Sequence, residues 1–152
     1  LIQITASKKV RLSKRWNWYT MLALQQVDGA APIRVPLFYT RNRLAYEGNF
    51  FKNLNISTGL ELRYYTPFKA NNFSPVTAQF IPQDTVIIRN RPDIAAFVHL
   101  RIKAFTLFVR AENLNTVSFA NGFSFTENNF AAPHYPTQGF MLRLGVKWWF
   151  VN

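Results

Sequence analysis

From Phe140 to Phe150 every second residue is apolar: Phe140, Leu142, Leu144, Val146, Trp148 and Phe150. Between them stand Met141, Arg143, Gly145, Lys147 and Trp149, a mixed and cationic set. A period of two predicts a strand with one apolar face. Six earlier segments repeat the pattern, with the apolar residues at even positions in five of them. These are Ile2, Ile4, Ala6, Val10 and Leu12, broken by Lys8; then Trp16, Trp18, Thr20, Leu22 and Leu24. Phe38, Thr40, Leu44 and Tyr46 follow, broken by Asn42; then Leu54, Ile56, Thr58, Leu60, Leu62 and Tyr64; then Ile94, Ala96, Val98, Leu100 and Ile102. The sixth segment changes phase to Phe105, Leu107, Val109 and Ala111, which a tight turn at Lys103-Ala104 permits.

The connections between these segments alternate in length. Short ones fall around Ser13-Lys14, at Gly48 to Asn53 and at Lys103-Ala104. Long ones run from Val27 to Val35, Thr66 to Pro92 and Asn113 to Gln138. All the long loops therefore lie at one end. Strands of about ten residues with short turns at one end and long loops at the other are the pattern of an outer-membrane barrel. The expected fold is all-β, an antiparallel transmembrane β-barrel of the outer-membrane type. The even face would meet lipid and the other face the lumen. The opposite orientation would aim Arg63, Arg101, Arg110, Arg143 and Lys147 into lipid, at about 2–4 kcal/mol each near the midplane. Lys8 would snorkel near a turn, whereas Asn42 has no explanation at this level. Aromatic residues fall where interfacial girdles belong: Trp16, Trp18, Tyr46, Phe105, Trp148 and Phe150 near the short turns, Phe38 and Tyr64 near the long loops. Seven strands are an odd number, and single-chain bacterial barrels have even ones. The expectation is that residues 1–152 form about seven strands of a larger barrel, as the C-terminal part of a single barrel domain. An N-terminal portion or another subunit would complete it; an eighth strand within Val76 to Ile88 is the alternative.

Charge alters this picture less than its size suggests. The chain has 18 Lys and Arg against 7 Asp and Glu, a net charge of +11 in 152 residues. Such a balance invites a nucleic-acid reading. The cations, however, are spread one or two per strand along the polar face, and a duplex cannot reach them inside a barrel. The predicted lumen-lining basic residues are Lys9, Arg11, Arg41, Arg43, Arg63, Arg101, Lys103, Arg110, Arg143 and Lys147. Glu47, Glu61, Asp93 and Glu112 are the acidic ones, and part of the set must pair across strands. An excess of fixed cations favours anions in a pore. The expected function is a water-filled, basic-lined channel for diffusion of small solutes. A structural or accessory barrel in a larger outer-membrane complex, without transport, is the alternative. A soluble ligand-binding barrel would need the even face to line a cavity. No run is long and apolar enough for a transmembrane helix. With no cysteine, and with His99 and His134 far apart and without neighbouring carboxylates, no metal site is expected. No phosphate-cradling glycine loop or hydrolase elbow is present either, so neither cofactor nor enzymatic activity is expected.

The final strand resembles the C-terminal assembly signal of outer-membrane barrels: polar, any, Gly, any, any, aromatic, any, aromatic. Arg143, Gly145, Trp148 and Phe150 fill those places, and two residues follow Phe150. More widely, "VPLFYTRNRLAYEG", "FFKNLNISTGLELRYYTPFKANNFSP", "AQFIPQ", "PDIAAFVHLRIKAFTLFVRAENLN" and "FAAPHYPTQGFMLRLGVKWWF" resemble a porin family of the Bacteroidetes outer membrane. Members of that family are several-fold longer, so the resemblance is to their C-terminal part. It implies a bacterial outer-membrane location, contact with membrane lipid and lipopolysaccharide, and recognition of the last strand by the barrel assembly machinery. It carries over no catalytic residue.

Overall fold

Apolar, β-branched and aromatic residues at every second position favour extended backbone with one face to bury. In the computed structural model, which describes residues 1–29, 33–50, 53–120 and 124–150, they form long strands. In chain order the strands are β1 (Ile2–Arg11), β2 (Trp16–Gln26), β3 (Phe38–Phe50), β4 (Leu54–Tyr65), β5 (Asn72–Ser74) and β6 (Gln79–Ile81). They continue as β7 (Asp93–Ile102), β8 (Phe105–Glu112), β9 (Val117–Ser118), β10 (Ser124–Phe125), β11 (Phe130–Ala132), β12 (Tyr135–Pro136) and β13 (Met141–Trp148). The seven long strands form one sheet in the order β1-β2-β3-β4-β7-β8-β13, with every neighbouring pair antiparallel. They are the seven alternating segments of the sequence. The sheet is open: among the described residues β1 and β13 are its two edges.

Register makes the two faces continuous. Even residues pair with even residues from β1 to β7, as in Trp18 with Leu44, Leu44 with Leu60, and Leu60 with Ala96. At the β7–β8 turn Ala96 pairs with Ala111, so the apolar face passes to odd positions, and Ala111 with Leu142 returns it to even ones. Lys103 makes that phase change possible with a left-handed backbone (φ 50°).

Three expectations change. Gly48 to Phe50 belong to β3, not to a turn, so β3 is 13 residues long and the longest of the described strands; residues 51–52 lie outside the described residues. Val76 to Ile88 supply no eighth strand to the sheet. Instead β5 and β6 make a separate hairpin, and Phe68 and Ile88 exchange backbone hydrogen bonds of 3.3 and 2.9 Å below it. Asn42, the polar exception on the apolar face, is satisfied locally. The Trp18 indole N–H donates to its Oδ1 (3.2 Å), and its amide donates to Thr40 Oγ1 (2.9 Å). A polar side chain on that face is tolerable because its hydrogen bonds stay within the sheet.

Burial is inverted relative to a water-soluble sheet. Leu60, Leu144 and Trp148 on the apolar face are 53%, 67% and 61% exposed, while Ala45, Glu61 and Phe97 on the polar face are 0%, 1% and 2% exposed. Side chains that crowd on one side and spread on the other imply a curved sheet with the polar face concave.

The long loops carry a small core of their own, with Ala70, Ile88, Thr116, Asn129 and Ala132 buried. Two asparagines tie the loop before β7 to the loop before β13. The Asn90 side-chain amide donates to Phe130 O (2.7 Å) and accepts from Phe130 N–H (2.9 Å). Asn129 does the same to Arg91, donating to its carbonyl (2.8 Å) and accepting from its N–H (3.0 Å). Each side chain thus stands in for a neighbouring strand's peptide group.

Candidate functional site: the polar face of the sheet

The predicted basic and acidic residues on the strands all lie on this concave face, in rows set by register. One row runs Lys9–Tyr19–Arg43–Glu61–Ala95, and the next runs Ser7–Met21–Arg41–Arg63–Asp93. Lys103 is the exception, since it sits in the β7–β8 turn and not on a strand face.

Glu61 is the hub. Its side chain has no exposed surface, and it accepts from Arg41 (2.7 Å), Arg63 (3.0 Å) and Arg110 (2.8 Å). Arg63 is two residues along the same strand, Arg41 is diagonal on β3, and Arg110 reaches from β8 across the whole of β7. That reach is possible because the β7 residue opposite Glu61 is Ala95, whose methyl group leaves the path open. Arg110 also donates to Glu112 (2.8 Å), which takes Arg143 as well (3.0 Å). Four guanidiniums therefore share two carboxylates, and the cluster keeps a net charge of +2. Such a multiply hydrogen-bonded cluster meets the condition under which buried charge is tolerated.

The other two carboxylates are used differently. Glu47 accepts from Asn17 and the Tyr19 hydroxyl, both at 2.8 Å, with Lys9 Nζ at 4.0 Å. Asp93 accepts from Asn129 (2.7 Å), so it braces the loops and not a strand cation. Among the described residues Arg11, Arg43, Arg101, Lys103 and Lys147 have no carboxylate partner. Arg11 instead donates to the carbonyls of Ser13 and Lys14 in the first turn, and Lys147 lies 3.9 Å from the centroid of Trp149.

Alternation alone passes over the rings on this face. The Arg43 guanidinium lies 4.1 Å from the Phe97 centroid, His99 lies 5.5 Å beyond, and Phe108 a further 6.1 Å. Phe97 faces Gly59, and Phe108 faces Gly145 in register. The signal the sequence offered was a glycine at an inward strand position, which leaves room for a neighbour's ring. A Cβ at Gly145 would run into the Phe108 ring. Gly145→Val should therefore destabilise the β8–β13 pair by about 1–3 kcal/mol, the cost of overpacking. Adding Phe108→Ala should restore most of the loss in a urea titration; additive losses would refute the contact.

The turn end of the apolar face carries the girdle residues as contacts. Trp16 meets Tyr46 edge-on at 5.5 Å, Phe105 meets Trp148 edge-on at 5.8 Å, and Phe150 stacks on Trp148 at 5.5 Å. Tyr64 lies on the same face at the other end of β4, opposite Thr40. Among the described residues no three of His, Asp and Glu are grouped as metal ligands.

Compared with known proteins, the chain matches one family model over residues 1–152, its whole length, and that family's description reads "Putative porin". No curated protein and no solved structure matches it.

Proposed function

We infer the function from one premise: the chain belongs to this porin family. It is a non-enzymatic barrel-forming protein of the bacterial outer membrane. The apolar face of its sheet contacts lipid, and the polar face lines a water-filled passage that favours small anions. The observation that carries this reading is the inverted burial, in which Leu60 and Leu144 are exposed while Glu61 is enclosed. In water such a surface would be a large apolar patch; in a bilayer it is the side that belongs in hydrocarbon, as the alternation of barrel strands requires. The uncompensated Arg43 and Arg101 support the preference for anions, because fixed positive charge raises the local anion concentration.

Site-directed spin labels test the topology. Labels at Leu60, Val98 and Leu144 should be relaxed by oxygen dissolved in lipid, and labels at Ser57 and Arg101 by a water-soluble reagent. The reverse pattern would sink the reading. Gly59 and Gly145 are unsuitable positions, since a Cβ there collides with the Leu44 backbone or with Phe108.

The assembly role of the last strand has its own test. Phe150→Ser should lower the amount of protein inserted in the outer membrane. It removes an exposed ring that stacks on Trp148 and supports little else. Unchanged insertion with reduced conductance would refute a recognition role.

The tied long loops favour a competing reading, a barrel stopped by its own loops and held in a larger complex without transport. Single-channel recordings decide between the two, because that barrel would pass no current.

A further inference from the structure

We propose that the cavity over β1, β2 and β3 on the polar face is a binding site for phosphate groups, free or carried by a small solute. The proposal rests on the reading of this face as the lining of an aqueous passage, and it goes beyond a general preference for anions by naming a station.

The cavity is about 430 Å³, and the polar-face residues among its lining are Ser7, Lys9, Tyr19, Met21, Arg41 and Arg43. Arg43 is the one of its three polar-face cations without a carboxylate partner among the described residues. It lies directly opposite Glu61 in register, yet that carboxylate is occupied by Arg41, Arg63 and Arg110. No protein acceptor takes the buried Nε–H of Arg43 among the described residues. Its guanidinium is held against the Phe97 ring at 4.1 Å and lies 5.9 Å from Tyr19. A guanidinium fixed in position by rings and free of a carboxylate is set to receive an incoming oxyanion.

Its neighbours add to this. Lys9 stands 5.0 Å from the Tyr19 ring, and its nearest carboxylate, Glu47, is 4.0 Å away and already accepts from Asn17 and Tyr19. Arg41 bonds Glu61 through one nitrogen and keeps 46% of its side chain exposed. Three cations thus line one cavity, and the two nearby carboxylates are each shared: Glu61 among Arg41, Arg63 and Arg110, and Glu47 among Lys9, Asn17 and Tyr19. A single carboxylate offers two oxygens and one charge. A phosphate monoester offers three terminal oxygens and up to two charges at neutral pH, so it can engage Arg43, Lys9 and Arg41 together. Met21 and the Tyr19 ring give the organic part of a phosphorylated solute an apolar wall. The cavity is also more than ten times the roughly 30 Å³ share of one liquid water.

The test uses the full-length protein in planar bilayers with potassium chloride as the carrier. Inorganic phosphate should reduce the single-channel current at concentrations where acetate does not. Arg43→Gln and Lys9→Gln should each raise the half-blocking phosphate concentration about tenfold, the loss of one charge-assisted hydrogen bond. Lys14→Gln, in the exposed first turn and outside the cavity, should leave it unchanged. A conducting channel on which phosphate acts no more strongly than acetate overturns the site and leaves the channel reading intact. If no current flows, the channel reading falls, and calorimetric titration of the detergent-solubilised protein with phosphate decides the site alone. Binding heat that disappears in Arg43→Gln supports it, and the absence of binding heat in the unmodified protein overturns it.

Discussion

Glu61→Leu should cost the sheet about 3 kcal/mol, the lower end of the loss expected when one member of a buried ion cluster is removed. The leucine would face three guanidiniums that had one carboxylate between them, on three different strands. Arg41 and Arg63 would keep their charge and lose their carboxylate, Arg110 would keep only Glu112, and their mutual repulsion would act across β3, β4 and β8. The lower end applies because Arg41 and Arg63 keep 46% and 40% of their side chains in water, which screens the repulsion. The measurement is the urea midpoint of the refolded protein in detergent, followed by tryptophan fluorescence. Glu61→Gln should fall between, since its amide oxygen still accepts from one arginine while its NH2 faces the others. A loss below about 0.5 kcal/mol for Glu61→Leu would place the carboxylate among surface ion pairs of negligible weight.

Leu60→Arg separates two environments by its sign and size. The side chain is 53% exposed, and its cross-strand neighbours on the same face are Leu44 and Ala96. In water, arginine at so open a position changes stability by no more than about 0.5 kcal/mol. In a bilayer midplane the same change costs about 2–4 kcal/mol. Folding into liposomes should therefore be impaired by Leu60→Arg and unaffected by Ser57→Arg on the polar face of the same strand. Equal tolerance of both changes would remove lipid from the apolar face.

The long strands were legible because the sheet has one apolar face and its period is two. Even the phase change at Lys103-Ala104 could be read, since Phe105, Leu107, Val109 and Ala111 could share a face with Ile102 and Leu142 in no other way. The charged residues of the polar face were legible as a set for the same reason. Their partners were less so. Alternation says which side a residue is on, and it says nothing about reach. That Arg110 crosses β7 to Glu61 depends on Ala95 being small, a property of a third strand. Phe97 and Phe108 were passed over because a polar face defined by its charges hides the rings among them. Asn42 read as an error because its two partners, Trp18 and Thr40, are themselves counted as apolar-face residues. The loops were least legible. Runs rich in Asn and Pro announce turns, but a side chain that imitates a peptide group across 38 or 40 residues of chain leaves no local pattern.

Those two asparagines give the long-loop end a property that neither loop would have alone. Each loop is fastened at a second point, on the other loop, besides its own strand ends. A protease that cuts between the β6 hairpin and Asn90, or between β10 and Asn129, would open the chain without releasing the severed end that carries the asparagine. For anything that grips the long-loop end, such as an antibody, the natural footprint spans both loops, and the unit it pulls on is the pair.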